Sequence, residues 1–274
     1  MIDPGLDGRV ALVTGANHGI GAAAARTLAA HGVAVFLSYL RLDPAAHAGG
    51  TAYPPEYGRR RAGTAEHVVQ QIRDAGGTAV GMEADLADPA VPRLLFDRAE
   101  AALGPVEILV NNASSWLANT FLPDPQDRFG RPLRLVDAES HDRQFAVDAR
   151  ASALLIAEFA RRHIQRGATW GRIIGLTSGG PGGFAQEVSY GAAKAAQENY
   201  TMSAAQELGS YGVTANLVYP PVTDTGWVTP TVEPAATAAS PLRQIAQPHD
   251  VAEVITLLAS QQARRITGQI IRMA

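Results

Sequence analysis

Cysteine is absent from this 274-residue chain, which excludes a thiol nucleophile, a thiolate zinc site, an iron–sulfur cluster and any disulfide. No metal site is expected. An excess of one charge is lacking too: 23 Lys and Arg stand against 26 Asp and Glu, a formal net charge of −3, with a sequence pI near 6.2. That balance produces no field that would draw nucleic acid or an anionic membrane surface, so neither is an expected partner. No stretch is long and apolar enough to span a bilayer, and the opening Met1-Ile2-Asp3-Pro4-Gly5 lacks a basic region followed by an apolar run. The expected location is the cytoplasm. What is present is 46% hydrophobic residues with 27 glycines spread among them, the composition of one compact α/β domain that needs no covalent staple.

Short apolar runs alternate with longer segments of helical period, the pattern of repeated βα units around a parallel sheet. Strands are expected at 9–14, 33–39, 78–83, 107–111, 171–177, 213–219 and 267–272, and helices at 19–31, 62–75, 90–103, 138–165, 188–210 and 249–259. Continuous runs such as Val10-Ala11-Leu12-Val13 and Ile108-Leu109-Val110 suit strands buried on both faces. The expected fold is α/β: a Rossmann-type, doubly wound parallel sheet of about seven strands flanked by helices. One domain spans 1–274, without internal repeat or dividing linker. Three stretches interrupt the alternation, at 41–61, 117–134 and 222–247, each rich in Pro, Gly or charge. All three leave the carboxyl ends of strands, where ligands bind in open parallel sheets, so they are expected to border a site.

The first strand runs into Thr14-Gly15-Ala16-Asn17-His18-Gly19-Ile20-Gly21 and then directly into a helix. Glycines there permit a tight turn, close approach of backbone N–H groups to a pyrophosphate, and tight helix–strand packing. The spacing G-x-x-x-G-x-G resembles the short-chain dehydrogenase/reductase family. Further motifs follow in that family's order: Asp85-Leu86, Asn111-Asn112-Ala113 with Ser114 in place of a glycine, Ser178, Tyr190-Gly191-Ala192-Ala193-Lys194, and Pro220 to Thr225. Within the family the chain most resembles bacterial 3-oxoacyl-carrier-protein reductases, a subgroup that is a poor guide to substrate.

The resemblance implies that Thr14, Gly15, Asn17, His18, Gly19, Ile20, Gly21, Asp85, Leu86, Asn112, Ala113, Tyr190, Lys194, Pro220, Val222 and Thr225 bind a nicotinamide dinucleotide. The end of the second strand, Leu37-Ser38-Tyr39-Leu40-Arg41, carries no carboxylate. Ser38 and Arg41 would favour a ribose 2′-phosphate, with His18 or one of Arg59, Arg60 and Arg61 as helpers. NADP(H) is therefore the expected cofactor, with NAD(H) the alternative.

Tyr190 and Lys194 are four residues apart and share a helix face. An ammonium about 5 Å from a phenolic oxygen would lower its pKa by about two units at an effective dielectric of 20. The resemblance makes Tyr190 the proton donor to a carbonyl, Ser178 the hydroxyl that polarises it, with Thr177 as substitute if the strand is shifted, and Lys194 a partner of the nicotinamide ribose. Asp148, in Phe145-Ala146-Val147-Asp148-Ala149-Arg150, stands where many members have a catalytic Asn. Its carboxylate is either a structural acid or a member of the proton path. Pro221 replaces a glycine and stiffens the turn beside the nicotinamide. Trp227 and its neighbours resemble a mobile substrate lid, while Trp116, Phe121 and Phe184 are candidates for the pocket wall or for ordinary packing. The expected activity is interconversion of a carbonyl and an alcohol on a small, partly hydrophobic molecule. The alternative is a catalytically weak dinucleotide-binding sensor or scaffold. The long helices at 138–165 and 188–210 match those through which the family forms homodimers or homotetramers, and a homo-oligomer is expected.

Overall fold

Val10–Thr14 (β1) is buried at every position, and so is Ile108–Asn111 (β4), as strands covered on both faces must be. They are the centre of a seven-stranded sheet. The other strands are Ala34–Tyr39 (β2), Ala79–Glu83 (β3), Gly171–Leu176 (β7), Val213–Tyr219 (β8) and Ile270–Arg272 (β9), and the order is β3-β2-β1-β4-β7-β8-β9. All six pairings are parallel. A computed structural model supplies these coordinates and describes residues 3–42, 54–124, 126–128, 130–178 and 182–274. Residues 43–53, within the first expected insertion, lie outside the described residues.

Helices cover both faces. On one, Gly19–Ala30 (α1) packs against Pro248–Ala259 (α9), with Glu66–Asp74 (α3) alongside. Ala22, Ala23, Ala24 and Ala25 are buried there, small side chains that let the helix approach the sheet closely. On the other face lie Val91–Leu103 (α4), Ser152–Gln165 (α6) and Val188–Leu208 (α7). Pro55–Ala62 (α2) and Glu233–Ala239 (α8) form short helices inside the 41–61 and 222–247 stretches, expected to break the alternation. The 117–134 stretch carries a small pairing of Asn119–Thr120 (β5), at its start, with Arg134–Leu135 (β6), at its end.

The expected helix at 138–165 is not uniform. Ala138–Phe145 (α5) begins at a reciprocal cap in which Asp137 accepts from Ser140 N and Ser140 Oγ accepts from Asp137 N, a device that stabilises a helix start by about 1 kcal/mol. Ala146–Ala151 is then a π turn before α6 continues. Such turns free backbone groups from the regular ladder and occur often at functional sites. Asp148 sits on this one.

The order of strands reverses beside β1: the chain winds outward through β2 and β3, then returns to β4 on the other side. The loops after β1 and β4 therefore part, opening a crevice at their carboxyl ends. Thr14 bridges the split. Its buried hydroxyl accepts from Asn112 N at 3.0 Å and Ala113 N at 3.1 Å and donates to Val110 O at 3.3 Å. Thr14→Val would leave two N–H groups without their acceptor, and a stability loss of about 1–3 kcal/mol is expected. An unchanged Tm on thermal unfolding would refute this.

Candidate active site and dinucleotide cleft

A cavity of about 490 Å³ occupies the crevice. The sequence-expected residues Gly15, Asn17, His18, Gly19, Ile20, Ser38, Asp85, Leu86, Asn112, Ala113 and Thr225 line it, joined by Tyr57, Arg61, Ser114 and Ser115. Two backbone requirements shape its floor. A Cβ on Gly21 would fall 2.4 Å from Gly15 O and 2.5 Å from Asn112 Nδ2, so only glycine permits the first turn of α1 to close on the loop. Asn112 Nδ2 in turn donates to Thr14 O and Gly15 O, at 2.8 and 3.0 Å.

The cleft suits an anionic dinucleotide. No side chain caps the N-terminus of α1, which leaves its N–H groups and positive dipole end facing the loop. Two polar atoms of lining residues, His18 Nδ1 and Ser114 Oγ, are buried without a hydrogen-bond partner. Ser38 is buried at the end of β2. Arg61 lines the cavity and donates to Ser114 O at 3.3 Å.

Arg41 does not reach this position. Glu83 takes its guanidinium, with Nε 3.1 and 2.9 Å from the two carboxylate oxygens and a further nitrogen at 2.8 Å. Strand β3 places Glu83 beside β2, opposite Tyr39, which is why the charge is intercepted. Pro220 and Val222 also lie off the cavity wall, as do Thr14, Gly21, Tyr190 and Lys194 among the residues expected to bind the dinucleotide. Val222 is exposed, and its carbonyl accepts from Ala246 N.

The inserted helix α2 roofs the cleft. Asn17 Nδ2 donates to Gly63 O at 2.8 Å, and the Tyr57 ring meets His18 edge-on at 5.3 Å and Trp227 at 4.6 Å. Gly226 has φ of +100°, and a Cβ there would meet Tyr57 N at 3.0 Å, so the expected lid descends onto the roof at a glycine. Trp227 also packs against Trp116 at 4.5 Å. Arg131 lies over both indoles, at 5.3 and 5.6 Å, and Glu187 accepts from Trp116 Nε1 at 2.8 Å. Phe184 meets Tyr190 edge-on at 5.8 Å. Phe121, by contrast, is 75% exposed and neither lines this pocket nor packs in a core.

Tyr190 enters from the first turn of α7 and is buried among these aromatics. The Ser178 hydroxyl faces its phenol closely enough to favour ionisation. The substitute hydroxyl, Thr177, instead donates to Glu198 at 2.6 Å, so Ser178 is the hydroxyl beside the phenol. Lys194, one turn further along α7, is also buried. Its Nζ donates to Leu176 O and Gln197 Oε1, each at 3.0 Å, and lies 3.0 Å from Asp148 Oδ1. Asp148 is fully buried, and its Oδ2 accepts from Ser115 N at 3.0 Å and Gln144 Nε2 at 2.6 Å.

This arrangement corrects the expected acidic phenol. The Tyr190 hydroxyl is pushed up from its ordinary value, first by burial and then by the Asp148 carboxylate, with the Ser178 hydroxyl working the other way. The Lys194 field was expected to dominate, but its charge has a carboxylate in contact.

Several contributors were missed in the sequence. Gln144 and Gln197 are spaced i−4 from Asp148 and i+3 from Lys194, a signal that marks shared helix faces but not what they hold. Asn119 accepts from Ser189 N and donates to Ser189 Oγ and Ser140 Oγ. It thereby ties the 117–134 insertion to the residue before Tyr190, and nothing local announces it.

The fold is that of the Rossmann-type class, a parallel sheet with helices on both faces and a cleft where the strand order reverses. Residues 58–273 match the family model described as enoyl-(acyl carrier protein) reductase. The oxidoreductase YjdA of Bacillus subtilis is 33% identical over 266 residues, 96% of this chain and 94% of that protein. The cis-4-hydroxycyclohexanecarboxylate dehydrogenase of Sinomonas cyclohexanicum is 33% identical over 267 residues, with the same coverage. The solved angucycline C-6 ketoreductase LanV with bound NADP superposes with a TM-score of 0.76 at 30% identity, covering 97% of this chain and 94% of that one. The chain belongs to the short-chain dehydrogenase/reductase family and is an oxidoreductase of that family. None of the helices among the described residues is long and apolar enough to cross a membrane.

Burial, with repulsion from Arg61, Arg60 and His67, pushes the His18 imidazole down from 6.5 to about 4. Between those values the unfolded chain binds a proton that the folded chain refuses, so stability falls as pH drops from 6.5 towards 4. Wild type is expected to lose more stability than His18→Asn between pH 7 and pH 5. Parallel loss in chemical denaturation at the two pH values would show that His18 does not carry this dependence.

Proposed function

We propose that the protein is an NADP(H)-dependent oxidoreductase that interconverts a carbonyl and an alcohol on an apolar substrate. The observation that carries this reading is the meeting of Ser178, Tyr190 and Lys194 beside a cleft lined by the glycine-rich loop. The phosphate loop and the N-terminus of α1 would hold the pyrophosphate. Ser38 and Arg61 would take the 2′-phosphate, Asp85 the adenine end, and Asn112, Ala113 and Thr225 the nicotinamide half. Asp85 is the one carboxylate among the described lining residues, and Arg61 supplies the planar, charged donor set that a phosphate favours.

A reduced nicotinamide bound there would supply the hydride. Tyr190 gives its phenolic proton to the carbonyl oxygen as the new C–H bond forms, while Ser178 holds that oxygen by a hydrogen bond. The alcohol leaves, and the phenol regains its proton from solvent. In the reverse direction the same phenol oxygen accepts the proton. Substrate reaches Tyr190 through the wall made by Trp116, Phe184 and Trp227, which favours apolar and aromatic faces. Raising Trp227, carried on the 222–247 segment, opens that path, and closing it excludes water.

A panel of aliphatic and aromatic ketones with NADPH and NADH tests the reading. Tyr190→Phe should lower kcat by about 10²–10⁴-fold with NADPH binding retained, measured by quenching of protein fluorescence. Wild-type turnover in that variant would remove Tyr190 from its role. A folded wild-type chain that binds NADPH but reduces no member of the panel would favour the sensor reading. Arg61→Ala should raise the KM for NADPH about 10–100-fold, the worth of a charged hydrogen bond, while leaving that for NADH nearly unchanged. Equal effects on both cofactors would refute the 2′-phosphate role.

A further inference from the structure

The position of Asp148 relative to Lys194 has a consequence for the direction in which the site is poised. Lys194 Nζ has three acceptors at 3.0 Å, of which only Asp148 is charged. Asp148 is met on both oxygens: the Lys194 ammonium pairs with Oδ1, which has no other partner, and the Ser115 backbone N–H and the Gln144 amide donate to Oδ2, while the Ser115 hydroxyl donates to Arg143 O at 3.2 Å. Three donors and no acceptor face this carboxylate, the surroundings of a counterion to the ammonium. The lysine that would otherwise stabilise a phenolate therefore carries its own counterion, buried with it.

The other groups facing the phenol do not replace that lost field. They are Glu187 from the start of α7, Tyr57 from α2 and the Ser178 hydroxyl after β7. Glu187 is offset by Arg131 at 3.6 Å and by the Trp116 indole N–H. Lys194 Nζ stands 5.8 Å from the Tyr190 ring centroid, close enough that its charge, uncompensated, would act on the phenol.

We propose that Asp148 is a positioning residue that neutralises Lys194 at Tyr190, so that the phenol keeps its proton and the site is set to protonate a carbonyl rather than to deprotonate an alcohol. The proposal rests on the reading of Tyr190 as proton donor. Removing the carboxylate while keeping an amide in its place exposes the phenol to the ammonium, and the sign follows: phenolate is favoured and the titration of Tyr190 moves to lower pH.

The test needs no substrate, so it is separable from the turnover experiment. The chain has seven tyrosines, and labelling them with ¹³C at Cζ gives NMR signals that report phenol ionisation, with Tyr190→Phe assigning the one of interest. In wild type the Tyr190 signal is expected to stay unionised beyond the free-tyrosine value of about 10. In Asp148→Asn its midpoint is expected to fall by about one pH unit or more relative to wild type. A wild-type midpoint at or below about 10 would overturn the proposal even if the variant does not fold. Identical titration in wild type and a folded Asp148→Asn would overturn it too. So would a larger downward shift in Glu187→Gln than in Asp148→Asn, which would make Glu187 the source of the effect. A Tyr190→Phe enzyme that turns over normally, with the titration as expected, would leave the electrostatic role standing and remove the catalytic reading beneath it.

Discussion

Everything that this molecule presents to a ligand depends on the parting of β1 and β4 at their carboxyl ends, and on the hydrogen bonds that keep the parted loops in register. Four such bonds join Asn112 and Ala113 to Thr14 and Gly15. A parallel sheet offers no hairpin to fix the relative position of neighbouring loops. Side-chain bonds to backbone do that work here. With the two loops locked, the N-terminus of α1 and the residues after β4 face the same space.

The second level of organisation is electrostatic. A buried ammonium and carboxylate are tolerated only when further hydrogen bonds satisfy what the pair leaves over, and Asp148 and Lys194 meet that condition through Ser115, Gln144, Leu176 and Gln197. The π turn brings Asp148 inward, and α7 brings Lys194 and Tyr190 on one face. The result differs from a free lysine beside a tyrosine. The pair is nearly neutral, and burial then dominates the phenol.

The third is the link between the two halves of the site. Helix α2 touches the phosphate loop through Asn17 and His18 and touches the lid through Tyr57 and Trp227. The wall of the cleft and the cover over Tyr190 thus share a set of aromatic contacts. The 117–134 insertion reaches the same place from the opposite side, through Trp116, Asn119 and Arg131.

The strand and helix order, the glycine-rich turn and the Tyr/Lys spacing were legible in the chain because they are local: apolar period, glycine placement and i, i+4 spacing need only a few consecutive residues. They determined the sheet, its single domain and the side of it on which the cavity opens. The fate of each charge was not legible, because it depends on residues distant in sequence. Glu83 is 42 positions from Arg41 and removes it from the cleft; Asp148 reaches Lys194 from another helix, and Arg61 enters over Ser114 from an inserted one. Motif spacing names which groups are present near a site. Only folding in three dimensions decides which of them still has charge to offer, since a buried ion answers first to its nearest counterion.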